Sequence, residues 1–401
     1  MNTQMYRDAY KLLQKNLTNR IFLKSISCSQ KAMNELIKNG DWQTKIQLIF
    51  EDETISCLKV AQACAYFSDS PDMPRGREWL QYVYNYTLSK LFPTNFIAMS
   101  NPSFEGMRLF FSIVLRSFLT IESKYQPFLF DKHFAFFQPK EALDQTIREE
   151  YTRFLALWDE LYLYEFFRIS SEATPFDTLG HVASVHHVGI SMAKQLKLAG
   201  APVDLPLVSA VAAIHDIGKF GCKSSEARRV PYLHYFYTLQ CTQLFNMPTI
   251  GHIAANHSTW DLELENLSIE NLLLIYADFR CKSIRDESGK EFSKIYTLKD
   301  SFDVIFQKLD NMDLAKANRY KAVYAKLVDF EEYCLSLGVH TNLDSLVPTP
   351  EPTIDFSLMD SEQTINQIKF MAIEHNIYVM HRMNNEATLG NVLEAARSEK
   401  D

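Results

Sequence analysis

The sequence predicts an all-α fold, and three observations carry that expectation. Helix-compatible runs of Leu, Ala, Glu, Lys and Gln dominate the 401 residues, only 12 glycines interrupt them, and few segments sustain the alternation of a half-buried strand. With 47% hydrophobic and 22% charged residues the chain can bury at least one large core, and its length suggests two or three domains. A formal net charge of −8 disfavours broad electrostatic binding to nucleic acid. The seven cysteines, none in CxxC spacing, read as reduced core residues, which fits the cytoplasm. The N-terminus lacks the basic-then-apolar order of a signal peptide. Met107 to Thr120, the most hydrophobic stretch, is broken by Arg108 and Arg116 and is too short to cross a bilayer, so no membrane association is expected.

Residues 1–170 are expected to form an N-terminal helical domain. Leu80, Val83, Tyr84 and Leu88, and again Phe111, Val114, Leu115 and Phe118, recur at the three- and four-residue spacing of a buried helical face. The aromatic residues Phe110, Phe111, Phe118, Phe128, Phe130, Phe134, Phe136 and Phe137 read as core filler. Thr174-Pro175 then opens a second domain, 171–345, in which helices carry His and Asp at regular places and continue through Phe302–Leu309 and Ala315–Leu337. Pro348, Pro350 and Pro352 favour an extended linker over 346–353. Residues 354–401 read as helical again, the expected start of a further domain in what would be a piece of something longer.

The chemistry concentrates in the second domain. Ala213-Ile-His215-Asp216-Ile-Gly218-Lys219 sets an adjacent His-Asp pair at the end of an apolar segment, with His181 before it and Asp278 after it. Imidazole nitrogen and carboxylate oxygen suit a divalent metal ion and point to metal-assisted hydrolysis rather than a covalent nucleophile. His181, Val185, Val188, Met192 and Leu196 share one helical face, which aims His181 inward; His187 lies off that stripe, and His186 is the fallback ligand should the register slip. Val208, Val211, Ala212 and His215 form a second inward face, and Leu267, Asn271, Leu274 and Asp278 a third. Gly218 is expected to end or bend the helix near the pair. A buried His beside a buried Asp is costly unless paired or metal-bound.

With those residues in place, the chain resembles the HD superfamily of metal-dependent phosphohydrolases: His181, then His215-Asp216 in an apolar HDIGK setting, then Asp278 in Tyr276-Ala-Asp-Phe-Arg280. The resemblance implies an all-helical HD-domain bundle, flanked by N- and C-terminal helical regions, with His181, His215, Asp216 and Asp278 as the primary ligands. His234 and His257 lie where the binuclear members, including the HD-GYP phosphodiesterases, place extra ligands, so a second ion is implied. Two departures stand out. The paired histidines of that subgroup are Asn256-His257 here, and its Gly-Tyr-Pro signature is absent from Trp260 to Asn266, which leaves cyclic-di-GMP specificity unsupported. Gly218-Lys219 replaces the Glu-Asp of guanosine-tetraphosphate hydrolases, and the pattern of deoxynucleotide triphosphohydrolases is not found.

The expected cofactor is a divalent ion, Mn, Fe, Mg, Ni or Co, with one or two per chain. Asp216 would bind metal and orient the attacking water, with Lys219 beside it as the second catalytic residue. Lys219, Lys223, Arg228, Arg229 and Arg280, the last accompanied by Lys282, are the candidates for neutralising substrate phosphate. His252 reads as structural. The expected function is hydrolysis of a nucleotide or related small phosphate ester. The alternatives are a noncatalytic HD-domain scaffold or nucleotide sensor that engages a protein partner through its flanking helices, and a metal-dependent nuclease.

Overall fold

The computed structural model describes residues 3–343 apart from 53, 68–71, 100, 126–133, 175–177, 259–266, 286–290 and 309–313. Among these residues stand sixteen α-helices, short 3-10 turns and one two-stranded hairpin, so the class is all-α. The linker expected at 346–353 and the helices expected after 354 lie outside the described residues. No helix among the described residues is long and apolar enough to cross a membrane. None of the seven cysteines is bonded to another, and five of them are buried.

The chain divides into two compact units, Met1–Leu129 with Leu157–Leu179, and Phe130–Ala156 with Gly180–Asp401. The single break expected near residue 170 is therefore corrected to a discontinuous one. Residues 130–156 belong with the second unit because their polar groups are used there. Glu150 accepts hydrogen bonds from the backbone amides of Thr249 and Ile250 at 2.8 and 2.9 Å, and the Leu143 amide donates to Asp204 at 2.8 Å.

The first unit contains α1 (Thr3–Leu17), α2 (Arg20–Ser25), α3 (Gln30–Asn39), α4 (Trp42–Ile49), α5 (Cys57–Cys64), α6 (Arg77–Leu91) and α7 (Pro102–Tyr125). After α8 (Gln145–Glu160), whose larger part is in the second unit, it adds α9 (Leu163–Ala173). Asn19, Ser29 and Ser56 cap α2, α3 and α5 by accepting from backbone amides that the first turn cannot satisfy. The expected apolar faces are buried: Leu80, Val83, Tyr84 and Leu88 on α6, and Phe111, Val114, Leu115 and Phe118 on α7. Trp42 meets Tyr66 and Phe118 edge-on at 6.1 and 6.0 Å, the arrangement that ring quadrupoles favour.

Among the described residues of this unit, Glu122, Arg168 and Glu172 are each matched by a partner. The Glu172 carboxylate accepts from the Cys57 and Leu58 amides at 2.5 and 3.0 Å, at the positive end of α5. Glu122 accepts from the Ile55 amide at 2.8 Å and pairs with Arg168 at 2.8 Å, while Arg168 also donates to the Ile55 carbonyl at 2.8 Å.

The second unit continues with α10 (Leu179–Leu198), α11 (Leu205–Ile214), α12 (Val230–Leu244), α13 (Pro248–Ala255), α14 (Ile269–Arg280), β1 (Cys281–Arg285), β2 (Glu291–Ile295), α15 (Leu298–Lys308) and α16 (Leu314–Ser336). Every residue of α11 is buried, so the single apolar stripe expected for it is corrected to a helix enclosed on all sides. Asp204 caps it by accepting from the Leu207 amide at 3.0 Å. Val185, Val188, Met192 and Leu196 of α10 are fully buried, as their spacing requires. The antiparallel β1–β2 hairpin, paired from Cys281↔Ile295 to Arg285↔Glu291, was not anticipated.

Candidate metal centre

Five segments bring six chemically matched side chains to one point. His181 sits in the first turn of α10, His215-Asp216 directly follows α11, His234 is in the second turn of α12, His257 lies two residues beyond α13, and Asp278 is in the last turn of α14. What draws α12 and α13 into place is contact without side chains. A Cβ on Gly218 would overlap the His234 carbonyl oxygen and the Thr238 amide, and one on Gly251 would overlap the Thr242 hydroxyl. Gly218 N–H donates to Thr238 Oγ1 at 3.1 Å, and Thr238 in turn donates to the His215 carbonyl at 3.0 Å. Gly218 lies in the 3-10 turn Ile217–Gly221 just past the end of α11, where the helix is expected to end or bend, and it also permits this close approach. Sequence reasoning missed the partners of both glycines, Thr238 and Thr242. Their four-residue spacing on α12, one small polar residue per turn, was the available signal.

The first group of ligand atoms is tight. His181 Nε2 lies 3.0 Å from Asp278 Oδ1, 3.4 Å from Asp216 Oδ2 and 3.4 Å from His215 Nε2, and His215 Nε2 is 3.6 Å from Asp216 Oδ2. Ligands about 2.0–2.2 Å from a common ion stand about 2.8–3.6 Å apart across octahedral and tetrahedral geometry, so these spacings fit a shared ion. The second group surrounds the other carboxylate oxygen. His234 Nε2 and His257 Nε2 are 3.2 Å apart and lie 3.7 and 3.8 Å from Asp216 Oδ1. His181, His215 and Asp278, and separately His215, Asp216 and His257, each bring their ligand atoms within 4.8 Å of one another. Asp216 thus offers one oxygen to each group.

Protonation is set by the far side of each ring. Nδ1 of His215, His234 and His257 lies 2.9, 2.7 and 2.6 Å from the carbonyl oxygens of Ala212, Val230 and Ala254. A carbonyl can only accept, so Nδ1 carries the proton and Nε2 presents a lone pair toward Asp216. Burial pushes His215 down from its ordinary value, His234 down to about 3 and His257 down to about 4, so all three are neutral near pH 7. Burial alone would raise the two carboxylates. The charge of Lys219 instead holds Asp216 well below the usual range, and the His181 hydrogen bond and Lys282 do the same for Asp278.

Lys219 Nζ stands 2.5 Å from Asp216 Oδ2, with its side chain one-third exposed. Asp216 outweighs the burial that would otherwise lower the lysine, and the ammonium is retained. Lys223 and Arg228 are exposed and Arg229 half-buried on or beside the 3-10 turn Ser224–Arg229 that leads into α12. Arg280 is a correction: it is buried, donating to the carbonyls of Tyr296 and Thr341 at 2.6 and 2.5 Å and to the Tyr276 hydroxyl at 3.0 Å, so it braces the fold instead of meeting phosphate. His186 is buried against the rings of Phe134 and Phe136, 5.1 and 5.8 Å away, and His252 bonds Asn256 at 3.0 Å. One further aromatic side chain, unmarked by the sequence reading, reaches the centre: the Tyr235 ring is centred 3.9 Å from that of His234 and 4.8 Å from that of His257.

No family model, curated protein or solved structure matches this chain.

Proposed function

We propose that the chain is a divalent-metal-dependent phosphohydrolase or phosphodiesterase that hydrolyses a nucleotide or related small phosphate ester, with two ions spanned by Asp216. The observation that carries this reading is the meeting of lone pairs: Nε2 of His234 faces Nε2 of His257 at 3.2 Å while both Nδ1 protons are committed to backbone carbonyls. Two such nitrogens repel unless a proton or a cation stands between them, and burial disfavours the proton. His181, His215 and Asp278, with Asp216 Oδ2 beside them, would hold one ion; His234 and His257, facing Asp216 Oδ1, would hold a second. Four imidazoles against two carboxylates favour Mn, Fe, Co or Ni over Mg.

When bound, divalent ions supply Lewis acidity toward the phosphoryl group and acidify water. The chain's own residues do the rest. Backbone carbonyls lock the tautomers of His215, His234 and His257, so no proton must leave Nε2 on loading. Asp216 would contribute an oxygen to each ligand group and could accept from a water to orient it. Lys219, partly exposed at the same carboxylate, can donate to a phosphoryl oxygen as negative charge develops.

The test is turnover of a panel of mononucleotides, cyclic dinucleotides and simple phosphodiesters by Mn- or Fe-loaded protein and its Asp216→Ala variant. Hydrolysis of at least one substrate, lost in a variant that still melts cooperatively, supports the reading. Ligand binding with no hydrolysis of any substrate would transfer it to a nucleotide sensor.

A further inference from the structure

We infer that Tyr235, with Tyr232 one turn before it, is a substrate-specificity element that stacks a planar base of the phosphate ester beside the second ligand pair, an inference that rests on the proposed phosphoester chemistry. The Tyr235 ring touches both imidazoles of that pair, tilted by 39° to His234 and 52° to His257, and the side chain is only half-buried. Tyr232 is 55% exposed and lies three residues earlier, about one turn before Tyr235 on the same side of α12.

Charge is arranged to suit the same ligand. The Tyr237 hydroxyl donates to the Glu226 carboxylate at 2.8 and 2.9 Å, which ties the turn Ser224–Arg229 to α12. Arg228 and Arg229 are thereby held immediately ahead of Tyr232, while Lys219 stands at Asp216. Cations for phosphate next to aromatic faces for bases is the combination by which proteins hold nucleotides without reading their sequence. A phosphate ester lacking a ring would use the ions and Lys219 alone.

Two phosphodiesters with the same leaving group separate the roles: thymidine 5′-(p-nitrophenyl phosphate) and methyl p-nitrophenyl phosphate. In the metal-loaded protein Tyr235→Leu should lower kcat/KM for the thymidine ester roughly 5- to 150-fold, the range of base–aromatic stacking. The methyl ester should change less than about 2-fold, and Tyr235→Phe should restore the difference. Equal losses on both esters, or a fall in bound metal, would show that Tyr235 merely supports the imidazoles and overturn the inference. Calorimetric binding of thymidine 5′-monophosphate against methyl phosphate provides a readout independent of turnover. Should the protein hydrolyse neither ester, the hydrolase reading fails by itself. A base preference in binding that Tyr235→Leu abolishes would then still support the stacking role, and absence of any preference would overturn it.

Discussion

Both units bury charge, and they do so in opposite ways. In the first, Glu122, Arg168 and the Ile55 peptide groups satisfy one another, and Glu172 closes the open end of α5. In the second, lone pairs and carboxylate oxygens are turned toward each other across 3.0–3.8 Å, with Lys219 on Asp216 and Lys282 near Asp278. A polar cluster that serves only folding ends in matched donors and acceptors. The converging lone pairs and carboxylate oxygens of the second cluster are what the proposed metal ions would complete.

Breaking the matched cluster should have the largest effect on folding. Glu122→Ala leaves the Arg168 guanidinium buried without its carboxylate and should cost about 3–5 kcal/mol in denaturant titration, with metal content per folded chain unchanged. The reciprocal experiment is Asp216→Ala. Removing this carboxylate should reduce activity by more than the roughly 10- to 100-fold that loss of an orienting partner costs, while the melting transition of the metal-free protein survives, because the one cation it leaves unpaired, Lys219, is one-third exposed and can turn to solvent. Comparing the two variants by calorimetry and metal analysis tests whether the clusters differ in kind.

Gly218→Ala probes how the centre is assembled. The added methyl has no room against the α12 backbone, so overpacking should cost about 1–3 kcal/mol and shift His234 relative to Asp216, read as weakened binding of one ion out of two.

The last effect is on pH. His234 and His257 titrate at about 3 and 4 in the fold but at about 6.5 in the unfolded chain, so below pH 6.5 the unfolded state takes up protons first. Their neutral form is fully compatible with folding above pH 6.5, and stability falls as pH drops from there toward 4 and then 3. At pH 5 each should cost the metal-free protein about 2 kcal/mol. The first unit contains no histidine, so the loss belongs to the second. A melting temperature of the second unit that stays flat between pH 7 and pH 5 would contradict this.

How much of this was legible beforehand follows from range. Helix content and the buried faces of α6, α7 and α10 depend on local spacing and could be read directly, as could the convergence of His181, His215, Asp216 and Asp278. His234 and His257 could be named, but nothing near them in the chain told how α12 would meet Asp216; that is decided by Gly218 against Thr238, a contact between segments. Arg280 was misread although its helix held the answer. Two residues past Asp278 is about 200° around the helix, so the two side chains cannot share a face. The hairpin escaped notice because its strands are only five residues each, too short for alternation to stand out. Tyr235 was hidden by an aromatic-rich helix in which any ring could have been core.

The central claim is that Asp216 is the bridge of a divalent-metal centre, and elemental analysis of the purified full chain tests it most directly. Close to two equivalents of a divalent transition metal per chain, lost in Asp216→Ala, is the predicted result. A protein that holds no metal, even after exposure to Mn or Fe, would contradict it.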